Sequence, residues 1–246
     1  TGRTGEIEAR FQRIQDYLSA PLWRQAPHPL PIAKRHGVRQ DREALDAILD
    51  EEIAAARRSD GQAEHDAHDI LAALVGRGEL SDPEIRDQVK TLIGAGYDTT
   101  SSTLAWLLWE ATLHPDLWTR LRKEADVVLA APADVSLPSL DLAGRAVRET
   151  LRLHPGSGIA PRITAVDMEI GGVKIAKGTF VQCMVASANR DETVFENPDQ
   201  FDLDRRQKPS FGFGFGPHMC IGQFVAKVEI VCAVNAVLDL FPNLRI

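Results

Sequence analysis

Phe211 to Gly222 reads FGFGFGPHMCIG, and within it Phe213, Gly216, Cys220 and Gly222 satisfy the spacing F-x-x-G-x-x-x-C-x-G. With ordinary residue usage, such a four-position match arises by chance in fewer than about one chain of this size in a thousand. Glycines around a cysteine let the loop backbone lie close against a flat ligand that side chains would hold away. Cys220 also stands just ahead of an apolar helical pattern, Ile221 to Leu240, whose free amides and dipole favour negative charge on sulfur. These residues predict a thiolate presented to a bound group. The commoner fate of a lone cysteine is that of a small buried hydrophobe. That reading is kept for Cys183, in a predicted strand, and for Cys232, on the apolar helix. Gly212, Gly214 and Gly216 recur at every second residue, which does not build the strand-G-x-G-x-x-G-helix of a dinucleotide site.

Two further groups could do chemistry. Ala95-Gly96-Tyr97-Asp98-Thr99-Thr100 lies in the middle of a long helical pattern, and Glu149 and Arg152 lie three apart on one face of another. Taken alone, Asp98 and Thr99 read as polar helix residues facing solvent. Taken alone, Glu149 and Arg152 read as a surface ion pair of little worth.

With the cysteine loop in place, the three groups in this order resemble the cytochrome P-450 superfamily. They match its [AG]-G-x-[DE]-T-[TS], E-x-x-R and haem-loop motifs along nearly the whole chain. The resemblance implies a mainly α fold with a small β-sheet, and a long central helix crossing a haem-binding core. It implies haem b, with Cys220 as the axial ligand to iron; a thiolate there pushes electron density onto the metal and favours O–O cleavage. Ala95, Gly96, Phe213 and Gly214 would lie against the cofactor. Gly96 would make room for O2, Thr99 would hydrogen-bond it, and Asp98 would help relay protons. Arg162 and His218 would pair with the haem propionates. Arg205 would complete a triad with Glu149 and Arg152 that serves folding and haem retention rather than chemistry. The implied activity is reductive activation of O2 and insertion of one oxygen atom into a small apolar organic substrate, with electrons from a ferredoxin or a flavoprotein reductase. Asp98 and Thr99 favour this over the family's isomerase-like members. The alternative is a truncated, non-catalytic haem-binding remnant, because the family's N-terminal portion and its last β segment have no counterpart here. Arg206, Lys208 and Lys227 flank the loop and read either as a docking site for an acidic partner or as a solvated basic scatter.

The elements that must position these residues can be read from periodicity. Leu45, Ile48, Leu49, Ile53 and Ala56 predict an amphipathic helix over 40–58, and a short helix follows at Leu71 to Leu74. Ser81-Asp82-Pro83-Glu84 is a helix start with a capping box, and the pattern then runs about 32 residues, roughly 48 Å, to His114-Pro115. Such a helix must cross the interior. Further helices are predicted over 116–129, 140–154 and 221–240. Ile163 to Ile170, a Gly171-Gly172 turn and Val173 to Ile175 predict a β-hairpin, and Thr179 to Val185 a further strand. Residues 189–208 read as irregular, and 27–31 and 59–68 as loops. Trp23, Trp106, Trp109 and Trp118 read as packing residues. His65 and His68 lack a third ligand and read as solvated.

Composition sets the outer limits. The 246 residues, 44% apolar, are enough for one sizeable core, so residues 1–246 are read as a single domain, a fragment of a longer family member. Thirty-five acidic against 28 basic residues disfavour nucleic acid. Three cysteines make no disulfide framework and suit a reducing, cytoplasmic compartment. No run approaches a transmembrane length, and any anchor upstream of Thr1 lies beyond what these residues report.

Overall fold

The structure, a computed structural model, describes residues 3–21, 33–59, 70–130, 141–206 and 210–241. The predicted loops at 27–31 and 60–68, with Trp23, His65, His68 and Lys208, lie outside the described residues. The chain divides into two units, Thr1–Gly94 and Ala95–Ile246.

In the first unit are α1 (Thr4–Leu18), α2 (Ala33–Ser59), α3 (Ile70–Gly76) and the start of α4 (Asp82–Leu113). Helix α1 is an addition to the predicted elements, although Ile7, Phe11, Ile14 and Leu18 recur at helical spacing. It is tied to α2 by charge: Arg13 donates to both carboxylate oxygens of the buried Asp41, at 2.7 and 2.6 Å, and Arg10 adds a third bond at 3.1 Å. The apolar centre of this unit is Ile53, Val75 and Ile85. Helix α4 starts as its sequence predicts. The Ser81 amide and hydroxyl both donate to the Glu84 carboxylate, at 2.8 and 2.7 Å, which holds that carboxyl below its usual range.

The second unit holds the rest of α4, α5 (Pro115–Ala130), α6 (Asp141–Leu153), four short strands, α7 (Val185–Ala188) and α8 (Gln223–Leu240). Its core joins α4, α5, α6 and α8 through Leu107, Leu117, Leu121, Ala146, Val147 and Ile230. Helix α6 is the most thoroughly buried, with Leu142, Ala143, Ala146, Val147 and the run from Glu149 to Leu153 all inside. Its first amides, which no helix can satisfy internally, donate from Leu142 and Ala143 to Glu124 of α5 at 2.7 and 2.9 Å. That carboxylate caps one helix from another and so fixes where α6 begins.

The predicted small sheet is two antiparallel pairs. β2 (Met168–Ile170) and β3 (Val173–Ile175) form the expected hairpin, closed by Gly171 and Gly172 at φ +57° and +80°, the left-handed geometry a tight hairpin turn requires. β1 (Ile159–Ile163) pairs instead with β4 (Phe180–Met184), Ala160 opposite Cys183. The predicted continuous strand from Ile163 to Ile170 is therefore broken. The Thr164 hydroxyl donates to Ala176 O at 2.7 Å and accepts from the Thr179 amide at 2.9 Å, while Asp167 accepts from the Lys177 amide at 2.7 Å. These side chains take the backbone bonds that a longer strand would have used.

Two other expectations fail. Cys183 and Cys232 are exposed, not buried. Cys183 faces a cavity, and Cys232 lies on a helix that is apolar all round, so periodicity gave no indication of which face the core would take. Of the tryptophans, Trp118 packs against the core and Trp106, though partly exposed, stacks on His154 at 4.0 Å between ring centroids, whereas Trp109 is exposed.

Candidate cofactor site around Cys220

The Cys220 loop is a closed local structure. The Phe211 carbonyl accepts from the Gly214 amide at 2.9 Å, the Gly216 carbonyl from Met219 at 3.0 Å, and the Phe213 carbonyl from Cys220 itself at 2.7 Å. Gly214 and Gly216 sit at φ +74° and +63°. A Cβ on Gly214 would lie 2.9 Å from the His218 carbonyl oxygen, and one on Gly212 the same distance from the Leu151 side chain. The glycines thus allow the loop to fold on itself and against the end of α6. After Cys220 the chain enters α8 through Gly222, so the thiol stands three positions before the first residue of that helix, Gln223.

A cavity of about 630 Å³ opens beside this loop, within the range of roughly 300–1,000 Å³ usual for ligand sites. Among the predicted residues, Ala95, Thr99, Arg162, Phe213, Gly214, His218 and Cys220 all line it. Gly96 and Asp98 do not; Asp98 is exposed on α4, one residue from Thr99. The Thr99 hydroxyl donates to the Ala95 carbonyl at 2.6 Å, and Thr103 repeats the pattern one turn on, donating to the Thr99 carbonyl at 2.7 Å. Gly156, which follows α6, leaves space for Thr99: a Cβ there would lie 3.3 Å from the threonine's own. Arg162 donates to the Pro161 carbonyl at 2.8 Å. Cys183 and Met184 of β4 also form part of the wall, which their strand alternation alone did not reveal.

Beside the cavity lies a buried charge cluster. Arg152 holds Glu149 bidentately, at 2.9 and 2.8 Å, and Arg205 reaches the same carboxylate at 3.0 Å. The Asp202 amide adds a fourth bond at 3.1 Å. Burial alone would push the Glu149 carboxyl up, but the hydrogen bonds from Arg152, Arg205 and Asp202 outweigh it and hold the group below its usual range. Arg152 is 2% exposed, and its remaining donors go to the carbonyls of Asn189, Pro198 and Gln200. Arg205 is bound to the carbonyls of Glu196, Asn197 and Gln200. The two arginines therefore fasten the irregular stretch 189–205 to α6. Far from a weak surface pair, this is a buried network with its donors used.

On its other side the cysteine loop borders a groove lined by Arg148, Arg206, Lys227, Phe215 and Met219. The Lys227 ammonium lies 5.4 Å from the Phe213 ring centroid and 5.5 Å from that of Phe224. Burial, and then the nearby Arg148 charge, lower its pKa.

The cavity fits a haem by its own chemistry: a thiol from a glycine-rich loop, two basic side chains in the wall, and a largely apolar lining. The chain belongs to the cytochrome P450 family, whose model matches residues 5–243. It is 32% identical to the pentalenene oxygenase of Streptomyces avermitilis, over 96% of this chain and 56% of that protein. To the cyclooctat-9-en-7-ol 5-monooxygenase of Streptomyces melanosporofaciens it is 34% identical, over 89% of this chain and 50% of the other. The crystal structure of the P450 enzyme CYP109B1 from Bacillus subtilis superimposes with a TM-score of 0.75 at 26% identity, over 99% of this chain and 60% of that one. The chain thus spans little more than half the length of these relatives. Among the described residues no helix is long and apolar enough to cross a membrane.

Proposed function

We propose that these residues form the haem-binding part of a monooxygenase. The observation that carries this is the shared cavity: Cys220 from the loop and Thr99 from α4 line the same space. When bound, a thiolate-ligated haem supplies reductive activation of O2, with the overall balance RH + O2 + 2 e⁻ + 2 H⁺ → ROH + H2O.

The chain's own residues would serve this as follows. Cys220 would give its sulfur to the iron from the loop that leads into α8. Arg162 and His218 would pair with the propionates, and the small surfaces of Ala95 and Gly214 would let the ring lie close. The Thr99 hydroxyl, whose hydrogen is donated to the Ala95 carbonyl, offers its oxygen as an acceptor already oriented within the site. Exposed Asp98 next to it is suited to bring protons from solvent to Thr99. Glu149, Arg152 and Arg205 keep stretch 189–205 and the neighbouring loop in place.

The apolar lining supports a small apolar organic substrate. The Arg148, Arg206 and Lys227 groove with its exposed Phe215 and Met219 supports docking of an acidic electron donor, a ferredoxin or a flavoprotein reductase. Three cysteines without a disulfide support a cytoplasmic setting.

The test is the absorbance of the haem-loaded, dithionite-reduced protein under carbon monoxide. A strongly red-shifted Soret band that is lost in Cys220→Ala is expected. Haem uptake with the red-shifted band but without substrate oxidation would support the haem-binding remnant, and failure to take up haem would mean that these residues keep the family motifs without a working site.

A further inference from the structure

Asn189 closes α7 and has none of its surface exposed. A buried amide is costly unless it is hydrogen-bonded, and this one has a partner at both its oxygen and its nitrogen. Its Oδ1 accepts from the Phe211 amide at 2.8 Å, and its Nδ2 lies 3.5 Å from the Leu151 carbonyl, to which it donates. Its own carbonyl accepts from Arg152 at 3.0 Å, and its amide donates to Val185 at 3.0 Å. One side chain therefore meets the end of α6 and the first residue of the cysteine loop, which are 60 positions apart in sequence.

Phe211 is the point at which the loop's internal bonds begin. Its carbonyl takes the Gly214 amide, and two residues further on Phe213 takes the amide of Cys220. The next residue, Gly212, is pressed against Leu151, the same residue whose carbonyl Asn189 holds. A shift of Phe211 along α6 would carry the whole closed loop with it, since the loop is stiff within itself and anchored at this end.

We propose that Asn189 is a positioning residue. Its amide sets the register of the Cys220 loop against α6 and thereby the place of the Cys220 sulfur in the cavity. The consequence for the cofactor rests on the haem-thiolate reading above; the consequence for the loop does not. Asn is the side chain suited to the task, because it offers an acceptor to one backbone amide and a donor to one carbonyl without adding charge.

The experiment compares Asn189→Ala, Asn189→Asp and Val234→Ala, the last a core truncation on α8 that weakens the fold away from this contact. Two readouts are taken: amide hydrogen exchange at Phe211 and Cys220 in the haem-free chain, and the reduced carbon monoxide spectrum of the haem-loaded chain. In Asn189→Ala both amides should exchange about five- to ten-fold faster than in Val234→Ala, as the bond to Phe211 and the longer one to Leu151 are lost. Part of the red-shifted Soret band should move to the position seen without thiolate ligation. Asn189→Asp keeps the acceptor for Phe211 but loses the donor to Leu151 and buries a charge, so it should lose stability while exchange at Phe211 stays slower than in Asn189→Ala. Equal exchange and equal spectra in Asn189→Ala and Val234→Ala would overturn the proposal, as would exchange at Phe211 in Asn189→Asp as fast as in Asn189→Ala. Where Asn189→Ala does not fold, Asn189→Ser, whose shorter hydroxyl cannot span the contact, decides by the same readouts. If the unsubstituted chain shows no red-shifted band, the haem-thiolate reading fails, and the exchange rates alone decide the role of Asn189.

Discussion

The Cys220 amide donates to the Phe213 carbonyl at 2.7 Å, so the cysteine is fixed to the aromatic residue seven positions before it. Between them Gly214, at φ +74°, leaves no room for a side chain against the His218 carbonyl. Gly214→Ala should therefore strain the backbone by about 1–3 kcal/mol and displace the sulfur. Denaturant unfolding and haem titration should both register the loss; an unchanged midpoint and unchanged uptake would show that the loop adapts.

Removal of Glu149 leaves Arg152 buried without its carboxylate. Glu149→Ala is expected to destabilise by about 3–5 kcal/mol, and Glu149→Gln by less, since the amide oxygen still accepts. The pH dependence has a defined sign. The folded-state pKa of Glu149 lies below its unfolded value of about 4.3, so its contribution is complete above that value and is lost as pH falls through the folded one. Unfolding curves collected down to about pH 3 should show this acid loss in the parent chain and a shallower one in Glu149→Gln.

Thr99 satisfies its hydroxyl on the Ala95 carbonyl within its own helix, so Thr99→Val should cost little stability, under about 1 kcal/mol. If the hydroxyl serves proton delivery, product formed per electron consumed falls by at least about ten-fold while the carbon monoxide spectrum stays unchanged. Equal coupling in the variant would remove Thr99 from the proposed mechanism.

Glu124 caps α6 through the Leu142 and Ala143 amides. Glu124→Ala should lower unfolding stability by about 1 kcal/mol, typical of a lost helix cap. A loss confined to exposed-pair values of a few tenths would mean that solvent replaces the cap.

Lys227 and Arg148, two mutually repelling cations in one groove behind the cysteine loop, predict salt-sensitive association with an acidic electron donor. Lys227→Glu should slow reduction by such a donor and flatten its dependence on ionic strength, with the spectrum of the haem site preserved. Unaltered kinetics would leave these residues a solvated basic scatter.

Much of this protein was already written in its sequence. Motif spacing singled out Cys220 from its own loop, whereas Thr99 and the Glu149–Arg152 pair stood out only through the family resemblance; that Thr99 lines the same cavity as Cys220 and that the pair is buried was decided by the tertiary structure. Ser81 and Glu84 marked the start of α4 because a capping box is local, and the Gly171–Gly172 turn placed the β2–β3 hairpin for the same reason. The pairing of β1 with β4 was decided only by the tertiary structure, since Thr164 and Asp167 spend their hydrogen bonds on residues 10 to 15 positions away. The exposed face of Cys232 was likewise undetermined, because a helix apolar all round has no stripe for the core to select. Asn189 looked like one more polar residue in an irregular stretch. Its role depends on burial and on partners 22 and 38 residues away, and neither leaves a periodic trace in the chain.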